Sequence, residues 1–152
     1  MLETPHVIVA AAIAAKVGRP ELALPLALAS HFILDMVPHW NPHINEEVLK
    51  YGRVTKKSTL IIAIDSTTAL LAGSTIAYLA LPNYPLAITI LAACFLGAAP
   101  DLIEAPYFFL NLKNKTVKNW IHSHRSIQGE AGLFWGILTQ IVTVAAAIWW
   151  LY

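Results

Sequence analysis

Apolar residues in this chain run in long blocks broken by short polar segments, with no sustained strand-like alternation. Five apolar stretches stand out: residues 6–16, 21–38, 58–81, 85–111 and 129–152. The third and fourth are joined by a tight Pro82-Asn83-Tyr84-Pro85 turn and form a hairpin. A helix rises about 1.5 Å per residue, so a membrane crossing needs roughly 20 residues. The last three stretches meet that length, the second is marginal, and the first is short enough to be tilted, re-entrant or buried against the others. Bilayers admit only helices or closed barrels. The pattern therefore predicts an all-α integral membrane bundle with four or five membrane-embedded helices, in a single domain over residues 1–152.

Composition sharpens this picture. The chain is 57% hydrophobic and only 12% charged, with a mean hydropathy of +0.60, against about 25% charged residues in soluble domains. A net charge of +1 gives no basic surface for nucleic acid. The single cysteine, Cys94, lies in an apolar run and reads as a packing residue. Glu3 and Pro5 open the chain without a basic region, so no signal peptide is expected.

Basic residues set the expected orientation. The 40–57 and 112–128 loops flank the hairpin, so they share a side, and they hold Lys50, Arg53, Lys56, Lys57, Lys113, Lys115, Lys118 and Arg125. The positive-inside rule makes that side cytoplasmic in the inner (plasma) membrane and puts Asn83 outside.

The ionisable residues then fall into register. His6, His31, Asp35, His39, Asp65, Asp101, Glu104, His122 and His124 all lie towards the basic end of their segments. Ionisable groups near hydrocarbon are costly and are kept for function. His31 and Asp35, four residues apart, share a helix face and can grip one metal ion; Pro38 ends the helix and lets His39 turn back. Asp101 follows Gly97 and Pro100 as a candidate ligand, and Glu104 as a ligand, general base or rim residue. In His122-Ser-His124-Arg125, one of the two histidines is expected in the site, and His124 shares a face with Gln128. Arg125 offers a fork for phosphate. Asp65 is a candidate ligand, orienting group or general base, and His6 a candidate ligand or N-terminal anchor. His43, Glu46 and Glu47 are expected to be solvated. Zinc suits imidazole and carboxylate ligands best, as one or two ions, with manganese or iron as alternatives.

The Gly97-Ala-Ala-Pro100-Asp101 pattern, followed by His124-Arg125, resembles the bacterial inner-membrane metal-dependent hydrolase family. His31-Phe-Ile-Leu-Asp35 is similar to that family's His-x-x-x-Asp element and to that of zinc-dependent phospholipase C. Here the His-x-x-x-Asp element comes first in the chain. Ile103 stands where the family pattern has a second aspartate, and Gln128 where it has a second histidine. The resemblance implies a zinc site that hydrolyses an ester or phosphoester, with His31, Asp35, Asp101 and His124 carrying over. The resulting expectation is a hydrolase acting on a membrane lipid at the cytoplasmic interface. Its rivals are an ion or metal transporter and a metal-stapled structural module.

Overall fold

The computed structural model describes residues 1–152 as seven helices and no strand. They are α1 (Glu3–Val17), α2 (Pro20–Met36), α3 (Ile44–Tyr51), α4 (Lys56–Leu79), α5 (Tyr84–Phe109), α6 (Lys115–Arg125) and α7 (Leu133–Leu151). Three of them, α4, α5 and α7, are long and apolar enough to cross a membrane, fewer than the four or five expected. The shortfall is a matter of length. With 15 and 17 residues, α1 and α2 reach only about 22 and 26 Å, short of a hydrocarbon core of about 30 Å.

Helix α1 is instead the centre of the bundle, packed against α2, α4, α5 and α7. Its alanines make this possible. Ala10, Ala11, Ala12 and Ala14 are fully buried and let neighbouring helices come close. Gly97 of α5 is the tightest of these approaches, since a Cβ there would stand 2.8 Å from Ala10 Cβ and 3.1 Å from the His6 carbonyl oxygen. Cys94 is buried in the same core, as a packing residue.

Outward, the large apolar side chains face away from the bundle: Leu70, Leu71, Ile88, Phe95 and Trp149 are all exposed. A belt of this size on three long helices fits a lipid environment and not water. Pro100 and Pro106 lie within α5, which continues through both.

The 40–57 loop contains a helix the hydrophobic pattern did not mark. Glu47 is not simply solvated. It accepts from Thr55 N at 2.8 Å and Ser58 Oγ at 2.7 Å, tying α3 to the first turn of α4. Desolvation acts against its charge, but the Thr55 and Ser58 donors outweigh it and hold the carboxyl below its usual range. At this end of the bundle α1, α4 and α7 begin and α2 and α5 finish.

Candidate metal centre

Asp35 lies at the middle of the polar cluster, fully buried in the last turn of α2. His31, one turn earlier, puts Nε2 3.4 Å from Asp35 Oδ2. The helix ends at Met36, and the chain then turns so that His39 comes back, with Nε2 3.9 Å from Asp35 Oδ1. That turn is stitched to the segment before α7. Gly129 N donates to the Asp35 carbonyl at 2.7 Å, His39 N donates to Gly129 O at 3.0 Å, and Ala131 N to His39 O at 2.9 Å. Only glycine fits at position 129, because a Cβ would stand 2.7 Å from the Met36 carbonyl oxygen.

The remaining histidines come from α1 and α6. His6 Nε2 is 3.2 Å from Asp35 Oδ1, and its ring stacks on His31 with centroids 4.0 Å apart. His124 Nε2 is 2.8 Å from Asp35 Oδ2. Gln128, one turn on, donates to the same oxygen at 3.3 Å. The Met1 amino group reaches Asp35 Oδ1 and lies 3.1 Å from His6 Nε2.

The far nitrogen of three rings is fixed by an acceptor. His31 Nδ1 donates to the Gly97 carbonyl at 2.7 Å, His39 Nδ1 to the Val37 carbonyl at 2.8 Å, and His124 Nδ1 to Glu104 Oε1 at 2.9 Å. This leaves the Nε2 atoms of His31 and His124 aimed at Asp35, the arrangement by which proteins orient imidazole ligands, while His39 Nε2, further from Asp35, accepts from Asn41 Nδ2 at 3.3 Å. His31 Nε2 and His124 Nε2 are 3.1 Å apart. Two lone pairs, or two N–H groups, repel at that distance. A positive centre between them, either a proton or a metal ion, makes them compatible. Burial disfavours charge on His124, yet the Asp35 and Glu104 carboxylates outweigh it and push the ring up to about 10. The environment favours a cation.

One ligand atom each from His31, Asp35, Asp101 and His124 lie within 4.8 Å of one another, so these four could hold a metal ion. Three of them are buried, while the Asp101 side chain is 27% exposed and opens the cluster to one side. On that side is a cavity of about 200 Å³, bordered by Glu3, His39, Asp101, Glu104, Arg125 and further side chains of α3, α4 and α5.

The other sequence candidates divide. His122 is exposed and outside the cluster, because two residues turn a helix by roughly 200° and only His124 faces inward. Asp65 does not reach the cluster as a ligand. It accepts from Glu3 N at 2.6 Å, Thr4 N at 3.3 Å and Thr4 Oγ1 at 2.6 Å, and so caps α1. With its oxygens so engaged it is a positioning residue and not a free base. Arg125 lies on the cavity wall, 3.9 Å from both Glu46 and Glu130. Glu104 touches His124, so its first role is to orient that ring.

Sequence reasoning missed Gln140, a buried amide in the apolar run of α7. It accepts from Leu2 N at 2.8 Å and donates to the Trp40 carbonyl at 2.9 Å, fastening the start of α1 to the turn that carries His39. A lone glutamine in such a helix was the available signal. No protein-family model, curated protein or solved structure matches the chain.

Proposed function

We propose that the protein is a membrane-embedded, metal-dependent hydrolase acting on a lipid ester or phosphoester, with its site on the cytoplasmic side of the inner membrane. The single observation that carries this reading is the convergence of histidine Nε2 atoms on buried Asp35, two of them 3.1 Å apart. Four imidazoles and two carboxylates are a donor set suited to zinc. The metal would be held by His31, Asp35, Asp101 and His124, with His6 and His39 close enough to join. A divalent ion there would polarise the scissile group and acidify a water.

The protein's own residues then have distinct tasks. Gly97 and Glu104 fix the orientation of His31 and His124. Asp101 stands between the buried ligands and the cavity, and Glu104 beside it can accept a proton. Arg125 supplies a guanidinium on the cavity wall for an oxyanion or phosphoryl group. The side open through Asp101 favours catalysis over a structural staple, which would be closed all round. Position near the basic end of three apolar helices favours a lipid substrate.

The test combines metal analysis with turnover. Purified protein should carry about one or two zinc ions per chain, and Asp35→Asn should remove both metal and activity while the protein still folds. Substrates would be phosphatidylcholine, phosphatidate and p-nitrophenyl acetate. Full zinc occupancy with no hydrolysis, together with metal flux into liposomes, would instead establish a transporter. Absence of zinc with no rebinding of added zinc would remove the metal reading.

A further inference from the structure

The charges at the basic end of the bundle are sorted. Asp35, Asp101 and Glu104 are drawn into the polar cluster, Asp65 into the cap of α1, and Glu47 into the first turn of α4. Glu46 and Glu130 remain at the surface, and both stand 3.9 Å from Arg125. The bases of the α3–α4 elbow have no such partner. Lys50, Arg53, Lys56 and Lys57 are exposed, and none of them pairs with a carboxylate. The chain turns at Gly52, and the Glu47 contacts with Thr55 and Ser58 tie α3 to the first turn of α4. Cations therefore stand on both arms of one short elbow, where they repel one another.

We infer that the α3–α4 elbow binds the headgroup of an anionic phospholipid in the adjoining leaflet. The level of the elbow follows from α4, which is long and apolar enough to cross a membrane and opens with Lys56 and Lys57. With α4 in a bilayer, its first turn stands at the headgroup layer. Two neighbours suit that layer. Tyr51 is an aromatic of the interfacial kind, with the Lys50 ammonium 5.2 Å from its ring centre. Leu49 is 79% exposed, an apolar side chain that water disfavours and the headgroup boundary accommodates. Groups of about four or more Lys and Arg beside a membrane span draw acidic lipid. Here the nearest acid, Glu47, is turned to α4 and leaves the cations free for a phosphate. Lys113, Lys115 and Lys118 share this end of the bundle, but they lie before and along α6, which is not one of the three long apolar helices. The inference rests on α4 lying in a bilayer and not on the metal or hydrolase reading.

The full chain would be reconstituted in phosphatidylcholine vesicles holding a trace of phosphatidylglycerol or of phosphatidylcholine, each spin-labelled towards the end of an acyl chain. Electron paramagnetic resonance then gives the association of each lipid with the protein. Wild type should prefer phosphatidylglycerol by about threefold or more. Salt at about 1 M, where the Debye length is about 3 Å, should remove most of that preference. Joint replacement by Lys50→Gln, Arg53→Gln, Lys56→Gln and Lys57→Gln should bring it close to parity, and the pair Arg53→Gln with Lys57→Gln should fall between. All four positions are exposed, so the fold should hold. A thermal midpoint on the same samples checks this, and the pair decides if the fourfold variant unfolds. Lys113→Gln, Lys115→Gln and Lys118→Gln together should change the preference far less. Loss in the elbow variants with retention in this second set supports the site, whether or not zinc or hydrolysis is found. Equal association of the two lipids in wild type, a preference that survives in the elbow variants, or an equal loss in the second set overturns it.

Discussion

Thr4 and Asp65 are locked together across two helices: Thr4 Oγ1 donates to the Asp65 carboxylate at 2.6 Å and to the Asp65 carbonyl at 3.1 Å. His6 lies half a turn further along α1. The carboxylate therefore caps α1 from outside and fixes the depth at which His6 meets Asp35. Asp65→Ala leaves the Glu3 and Thr4 donors without this acceptor, and each such loss costs about 1–3 kcal/mol. The expected result is a lower thermal midpoint and weaker zinc binding by titration in detergent, with Asp65→Asn recovering part of both. Unchanged zinc affinity in Asp65→Ala would show that His6 needs no such anchor.

Glu104 and His122 should behave in opposite ways. Removing a carboxylate that orients a ligand histidine typically costs about 10–100-fold in metal affinity. Glu104→Ala is expected in that range, and Glu104→Gln less affected because its amide oxygen still accepts from His124 Nδ1. His122→Ala should bind zinc like wild type. Competition titration against a chromophoric chelator separates these cases, and a large loss in His122→Ala would move the site.

Acid should release α3 before the bundle opens. Glu47 holds its charge more strongly when folded than in the unfolded chain. Its contribution is therefore complete above the ordinary carboxyl value of 4.5 and is lost as pH falls through the lower folded value. Hydrogen exchange in residues 44–51 should rise over that acid range. In Glu47→Gln it should be raised already at neutral pH and change little with acid. The same acid response in both proteins would place the anchor elsewhere.

The two ends of the hairpin should label from opposite sides. Cys94 is buried, so single cysteines introduced as Asn83→Cys and Lys115→Cys report their own positions. In intact inner-membrane vesicles of known sidedness, a membrane-impermeant maleimide should reach position 115 from the cytoplasmic face and position 83 from the other. Labelling of both from one face would break the proposed sidedness.

Much of the cluster was legible in the sequence because it is written in local spacing. His31 and Asp35 are one helical turn apart, and Pro38 marks where the chain leaves the helix, so His39 follows. The choice between His122 and His124 needed the direction of α6, which depends on its packing against α5. The cap on Asp65 was hidden for a different reason. Its partners are mainly backbone N–H groups, which carry no residue signature, so a half-buried carboxylate read as a ligand, orienting group or general base holds a helix end. The number of crossing helices was overestimated because hydropathy does not separate a short helix buried in protein from one buried in lipid. The alanines of α1 serve the first purpose.

The stitching of Gly129 and Ala131 to Asp35 and His39 has a consequence for biosynthesis. The groups around Asp35 are drawn from residue 1 through residue 128, and the turn bearing His39 is closed by backbone that emerges later still. A nascent chain that has delivered only its first four helices has His6, His31, Asp35 and His39, yet lacks the Gly97 carbonyl that orients His31 and the whole of α6. On the metal reading proposed above, such a chain would hold an ion only loosely. Tight capture would then wait until α6 and the segment before α7 have been made, so metal loading would be a late event in assembly and would stabilise complete chains over truncated ones.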